Sequence, residues 1–384
     1  MPNPTDSTQP DNIQRYASHL GLLQETDRYR QCGIVDPGLL DFSSNDYLGL
    51  SQHPLLKARA AEAIARDGVG STGSRLISGS SDAITLLEER VADWKQTEAA
   101  LVLNSGYQAN VSILQAILQP GDWVFCDALN HASLNDGVLL SGARLARYHH
   151  RDLQHLAEKL AKAPKDTLKW IVTDSVFSMD GTLADCPALV ALADAFGAQI
   201  LLDEAHASGV YGESRASGLS EAQGMSGKIH LQMGTFSKAL GGFGAYLAGS
   251  RTMIETVINR GRGFIYSTAL PPAVIAAADA AVHVVQTEPE HRKALWQRME
   301  QVHSRLGVLS HPSHIVPLHV GEGSRAMGFN RALKEAGFFL QAIRPPTVPE
   351  NTARLRLSLS ARHTPEQVDA LCTAWENLKK DQAI

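Results

Sequence analysis

Ala198-Gln199-Ile200-Leu201-Leu202-Asp203-Glu204-Ala205-His206 is a short apolar run that ends in two acids and a histidine. Its apolar residues are continuous rather than alternating, as in a strand covered on both faces. In an open α/β sheet the carboxyl ends of such strands face the ligand, so the polar cluster marks a candidate site. The same pattern recurs on either side. Ala99–Leu103, Trp123–Cys126, Trp170–Thr173, Ile229–Met233 and Gly244–Ala248 read as further buried strands, and helix-like stretches such as Tyr107–Leu118 and Pro187–Phe196 fall between several of them. This alternation predicts an α/β fold: a large domain whose mainly parallel sheet is flanked by helices.

The style of the sequence changes after Pro271-Pro272. An Ala-rich and then a charged helical stretch, Ala273 to about Leu306, leads to strands near Ile315–Val320, Phe338–Ile343 and Arg354–Ser360, read as a smaller C-terminal α+β domain. At the other end residues 1–10 are expected to be frayed, and Asn12 to Leu40 reads as a helix followed by a turn. The expected organisation is an N-terminal helical segment 1–45, a large ligand-binding domain 46–280 and a small domain 281–384.

The 384 residues are 44% apolar and 20% charged, which is ordinary globular composition. A net charge of -5 offers no general attraction for nucleic acid or an anionic membrane. No leader peptide and no bilayer-length apolar run is read in the sequence. Cys32, Cys126, Cys186 and Cys372 form no CxxC pair, so they read as free, buried or half-buried thiols, with no metal site or disulfide framework. A cytoplasmic location is expected.

In Gly234-Thr235-Phe236-Ser237-Lys238-Ala239-Leu240-Gly241-Gly242-Phe243-Gly244, one lysine follows a strand and precedes a glycine-rich turn. Small residues let backbone approach a bulky ligand, and burial depresses a lysine pKa, freeing the amine for Schiff-base chemistry. The plain alternative is a solvated loop lysine. A carboxylate such as Asp203 could hold a pyridinium nitrogen protonated. Asp203-Glu204-Ala205-His206 also matches the acidic box of a helicase-type ATPase, but no G-x-x-x-x-G-K-[ST] loop lies on an earlier strand, and Gly224-Met225-Ser226-Gly227-Lys228 has the wrong spacing. Asn104-Ser105-Gly106-Tyr107 reads as a turn opening a helix, where free amides suit a phosphate; Tyr107 could equally be core packing. His131 and Ser178 follow other strands, and each alone would more often be structural.

Together with Phe42-Ser43-Ser44-Asn45-Asp46-Tyr47-Leu48-Gly49-Leu50, Gly70-Ser71-Thr72-Gly73-Ser74-Arg75 and Ile265-Tyr266-Ser267-Thr268, these motifs resemble the α-oxoamine synthases. That family belongs to the fold type I enzymes that depend on pyridoxal 5'-phosphate (PLP), and the resemblance runs in order from about residue 40 to 360. Ile343-Arg344-Pro345-Pro346-Thr347-Val348-Pro349 and Thr352-Ala353-Arg354-Leu355-Arg356-Leu357 resemble the biotin-pathway branch of the family.

The resemblance implies that Lys238 carries PLP as a Schiff base, Asp203 pairs with its ring nitrogen and His206 with its ring hydroxyl, Ser178 lies close by and His131 stacks on the ring. It implies phosphate contacts from Gly106, Tyr107 and Thr235, and from Ser267 and Thr268 to the neighbouring subunit's cofactor, hence a homodimer. Arg344 would clamp the amino-acid carboxylate, and Arg28, Asn45 and Thr347 would touch substrate. The implied reaction is the decarboxylative condensation of L-alanine with a pimeloyl thioester of coenzyme A or a carrier protein. A sister synthase, such as a glycine C-acetyltransferase-like enzyme, and a non-catalytic binding protein on the same fold are the alternatives.

Overall fold

The computed structural model describes residues 12–26 and 28–381, so the expected frayed start, residues 1–10, lies outside the described residues. The chain divides into two compact units: Met1–Ser43 with Pro317–Leu357 and Asp369–Ile384, and Ser44–Val316 with Ser358–Val368. Both are discontinuous, unlike the expected segments 1–45, 46–280 and 281–384: the first forty or so residues cluster with the C-terminal region, and residues 281–316 with the large unit.

The large unit is built on seven strands, β1 (Ala99–Leu103), β2 (Trp123–Asp127), β3 (Arg144–Tyr148), β4 (Lys169–Asp174), β5 (Gln199–Asp203), β6 (Leu231–Thr235) and β7 (Ala245–Gly249). Their order across the sheet is β1-β7-β6-β5-β4-β2-β3. All neighbours run parallel except β7, which is antiparallel to both β1 and β6. Every residue of β4, β6 and β7 is buried, which is why these stretches carry almost no alternation. A fully buried Leu or Val contributes about 1.5–3 kcal/mol, and Leu101, Ile113, Val124, Leu134, Val172 and Leu201 all join one core.

The expected strands and helices form, with boundaries shifted by a residue or two. The strand Arg144–Tyr148 was not legible because it is the partly exposed sheet edge and carries two arginines, Arg144 lying 3.9 Å from the Trp123 ring centre. Phe338–Ile343 is not one strand. Leu340 interrupts it, its carbonyl accepting from Asn330 Nδ2 at 2.5 Å, so that Phe338–Phe339 pairs with Leu40–Asp41 while Gln341–Ile343 joins a three-stranded sheet with Ala353–Ser358 and Ile315–Gly321. The two long helices after Pro271 are Pro272–Thr287 and Glu290–Leu306. Cys126, Cys186 and Cys372 are buried free thiols, whereas Cys32 is exposed, correcting the expectation for that residue. No helix among the described residues is long and apolar enough to cross a membrane.

An antiparallel pair can be joined by a short loop, whereas a parallel pair needs a crossover. The reversal at β7 therefore lets residues 236–244 stay at the carboxyl ends of the parallel strands. Gly241 makes that loop possible: its φ is 66°, and a Cβ there would lie 2.2 Å from Ser51 N and 2.4 Å from Leu50 C. Both obstacles are backbone. Gly241→Ala is expected to destabilise the protein by more than about 2 kcal/mol, read as a lower urea midpoint; an unchanged midpoint would contradict this account of the loop.

Candidate active site

Asp203 ends β5, level with Asp174 at the end of β4. It is 4% exposed, and its carboxylate accepts from Ala205 N at 2.9 Å and Asn110 Nδ2 at 2.8 Å. Asn110 lies in helix α1 (Gly106–Ile117), on the face turned to the sheet, and its Nδ2 is also 2.9 Å from Ser133 Oγ. Ser133 belongs to helix α2 (Ala132–Ser141), whose N-cap is His131; Ser133 Oγ lies 2.7 Å from His131 Nδ1. A continuous set of polar contacts thus runs from Asp203 to His131.

His131 is anchored at its backbone as well. Its N–H donates to Asp174 Oδ2 at 2.8 Å, while Asn130 Nδ2 donates to Val172 O at 2.7 Å. His131 is exposed as a whole residue, yet partial burial lowers its pKa through lost hydration; Asp203 and Asp136 oppose the shift and Lys238 adds to it. Asp174 is pushed in the opposite direction for a carboxyl. Burial first and the neighbouring Asp203 second raise its pKa well above the ordinary range, against the His131 N–H and Lys238. These shifts place Asp203, His131, Asp174 and Lys238 in one electrostatic neighbourhood.

Lys238 is half-buried in the β6–β7 loop, and its carbonyl accepts from Gly241 N at 2.9 Å, closing the turn that presents it. At the base of the loop Thr235 Oγ1 donates to Gly244 O at 2.7 Å and lies 2.7 Å from Ser237 Oγ. His206 is buried, with Nδ1 2.7 Å from Tyr47 Oη, and that hydroxyl also reaches Asn45 Oδ1 at 3.0 Å. Ser178 is half-buried after β4.

Gly106 and Tyr107 open α1 behind the N-cap Ser105, at the first turn of a helix where amides lack intrahelical acceptors. Tyr107 is not core packing: it is 52% exposed and its hydroxyl donates to Asp136 Oδ2 at 2.5 Å. Ser267 Oγ accepts from Gln108 Nε2 at 2.5 Å and Thr268 O from Asn104 Nδ2 at 2.7 Å, so both sit beside the start of α1 in their own chain.

The remaining candidates belong to the other unit. Arg28 pairs with Glu350 at 2.5 Å, Thr347 Oγ1 accepts from Arg30 Nη2 at 2.8 Å, and Arg344 is half-buried. Arg28, Arg30, Asn330, Lys334, Arg344 and Thr347 are among the residues lining a cavity of about 780 Å³.

Four buried groups escaped the sequence reading. Besides Asn110, Ser133 and Asp174 there is Lys95, whose Nζ donates to Ser217 O at 2.6 Å and lies 3.7 Å from Glu204 Oε2. Burial lowers the Lys95 pKa, opposed by Glu204 and Glu221. Glu204 in turn accepts from Leu219 N and Ser220 N, tying the turn after Asp203 to the interior.

Two other arrangements do not read as sites. His53, Glu288 and His291 bring possible metal-ligand atoms within 4.8 Å of one another. However, His53 Nδ1 accepts from Leu55 N at 3.3 Å, so the neutral ring carries its proton on Nε2, which faces Glu288 at 3.2 Å. That is a helix cap with its second hydrogen bond. Gly224–Lys228 precedes β6 and ends in the one-turn helix Ser226–Lys228, unlike a phosphate loop, which follows its strand.

The profile of the aminotransferase class I and II family matches residues 37–374. An 8-amino-7-oxononanoate synthase of Geobacter sulfurreducens is 49% identical over 350 residues, 89% of each chain. An SPT structure holding PLP superposes with a TM-score of 0.89 at 28% identity, over 96% of this chain and 98% of that one. The 8-amino-7-oxononanoate synthase of Francisella tularensis gives 0.79 at 27% identity, over 91% and 100%. With this extent of identity and the shared fold type I architecture, the chain belongs to the class I and II aminotransferase family, on its 8-amino-7-oxononanoate synthase branch.

Proposed function

We propose that this protein condenses L-alanine with a pimeloyl thioester, carried by coenzyme A or a carrier protein, to give 8-amino-7-oxononanoate, CO2 and the free thiol in biotin biosynthesis. The observation that carries the reading is the buried Asp203 carboxylate at the carboxyl end of β5, in the same electrostatic neighbourhood as Lys238 and His131, in a chain with 49% identity to a synthase of that name.

The residues fit PLP. Asp203 is an acceptor for a protonated ring nitrogen, His206 and Ser178 supply polar edges, and His131 is an exposed residue whose ring would stack on the group. The first amides of α1, at Gly106 and Tyr107, offer donors to a phosphate; Thr235, assigned to the same phosphate, would turn its hydroxyl from Gly244 O to reach it, and Lys238 would hold the group covalently. When bound, PLP supplies an electron sink for the charge left on the amino-acid Cα.

The chain's own residues perform the remaining work. Lys238 Nζ takes the Cα proton and returns one after CO2 is lost. Asp203 would hold the ring nitrogen in its protonated form, by its negative charge. Arg344 is assigned to the substrate carboxylate, for which a planar guanidinium offers two parallel donors, and Arg28, Asn45 and Thr347 to other substrate contacts. Ser267 and Thr268 are assigned to the phosphate bound by the partner subunit, which makes the working unit a homodimer in the cytoplasm.

The test is thiol release by the PLP-loaded protein. Release with pimeloyl-CoA plus L-alanine, and none with acetyl-CoA plus glycine, is expected. The reverse pattern would move the protein to a sister synthase, and release with neither would overturn the reading.

A further inference from the structure

We infer that Asn110 and Ser133 form a hydrogen-bond relay that ties the Asp203 carboxylate to His131 and decides which ring nitrogen of His131 carries its proton. The inference rests on the reading that Asp203 and His131 both flank PLP. It adds two positioning residues, neither of which is expected to touch the cofactor or substrate.

The first two bonds have fixed directions, and the helix cap fixes the third. An ionised carboxylate only accepts, so Asn110 turns its amide nitrogen, not its oxygen, toward Asp203 Oδ2, 2.8 Å away. The second N–H of that nitrogen points to Ser133 Oγ at 2.9 Å. With one lone pair engaged by Asn110, the Ser133 hydroxyl still has its single proton to give, and His131 Nδ1 lies 2.7 Å away.

A second bond requires the same state. His131 caps α2, and its Nδ1 accepts from Ser133 N at 3.4 Å, which needs a lone pair on that nitrogen. The proton of the neutral ring is therefore on Nε2, and the Ser133 hydroxyl donates to Nδ1. His131 therefore offers an N–H donor at its outer edge, and never an acceptor, while the relay is intact.

Little else in the ring is free to adjust. Its backbone is tied to β4 through Asp174 Oδ2, and Asp174 N in turn donates to Asn130 Oδ1 at 3.3 Å. Asn110 and Ser133 are 1% and 0% exposed, so water does not compete for these bonds. The ionisable groups acting on His131 are Asp203 from β5, Lys238 from the β6–β7 loop and Asp136 from α2, with Asp174 on its backbone N–H. Burial and Lys238 together outweigh the two acids and keep the ring neutral, the form the relay needs.

The experiment compares Ser133→Ala, His131→Ala and the double variant in the PLP-loaded full chain, by the pH profile of kcat/KM and the visible circular dichroism of bound PLP. Ser133→Ala is expected to lower kcat/KM about tenfold, the usual scale for orphaning one buried hydrogen bond. It removes a donor that favours neutral His131, so the acid limb should move to higher pH and the dichroism should change. On the His131→Ala background the same substitution should cost less than about twofold, because the two residues act as one unit.

Ser133→Thr, which keeps the hydroxyl, should restore both the limb and the dichroism. Should it fail to fold, Asn110→Ala must reproduce the Ser133→Ala profile. An equal tenfold loss on both backgrounds, or an unmoved acid limb and dichroism in Ser133→Ala, overturns the relay. If His131→Ala itself changes neither rate nor dichroism, the placement of His131 on PLP falls, and the relay with it.

Discussion

Lys238→Ala is expected to abolish turnover, by at least about 10³-fold, because the substitution removes both a covalent anchor and the group that moves the Cα proton. The fold should survive it. Lys238 is half-buried in a loop, and the turn it belongs to is closed by its backbone carbonyl and Gly241 N, which alanine retains. PLP should still be retained by the native variant through Asp203, His206 and the start of α1, but should leave on denaturation. Borohydride should fix it covalently only in the unmodified protein. A variant that still turns over, or that still yields a borohydride-fixed cofactor, would remove Lys238 from the centre of the reaction.

Asp203→Asn should come next in size, with kcat lowered about 10³-fold, the scale seen when one preorganised charge is deleted from a site. The substitution does more than cancel a charge. Asn110 points an N–H at this carboxylate at 2.8 Å, so the new amide either keeps an oxygen there or forces Asn110 to turn over. If Asn110 turns, its oxygen faces Ser133 Oγ, and the Ser133 proton is drawn away from His131. The pH profile of the residual activity should therefore differ from that of the unmodified enzyme, as well as its height. Full activity in Asp203→Asn would sink both the pyridinium pairing and the relay argument.

Much of this architecture was legible in the sequence, and the exceptions share a physical cause. Strands such as Trp170–Thr173 and Ala198–Leu202 announced themselves as unbroken apolar runs because a parallel sheet is covered on both faces. The edge strand Arg144–Tyr148 carries half-exposed, charged positions and left no such mark. At the site, Asp203, His206 and Lys238 were visible because polar groups cluster where apolar runs stop. Asn110 and Ser133 sit inside helices, where a polar side chain ordinarily reads as solvent-facing. Asn110 lies 93 residues from Asp203 in sequence, and nothing local reports the approach. One signal was present: Asn110 falls between Ala109 and Ile113, on the apolar stripe of α1. Lys95 was hidden for the same reason, a charge at a helix end that points inward.

The discontinuity of the two units has a consequence for how the molecule is made. Ribosomes deliver a chain from its amino end, yet Ser43 Oγ waits for Gln341 N, 298 positions later, and Asp46 O waits for Ser360 Oγ, 314 positions later. Tyr47 O likewise receives Ala361 N at 2.7 Å, and the same tyrosine's hydroxyl reaches His206. Long-range closures of this kind slow folding and leave apolar surface uncovered in the meantime. Residues 341–361 thus act as a latch on residues 43–47. A nascent chain can assemble the parallel sheet early, but the support behind His206 is complete only once residues 358–361 have followed, so competence to use the cofactor comes later than the sheet itself.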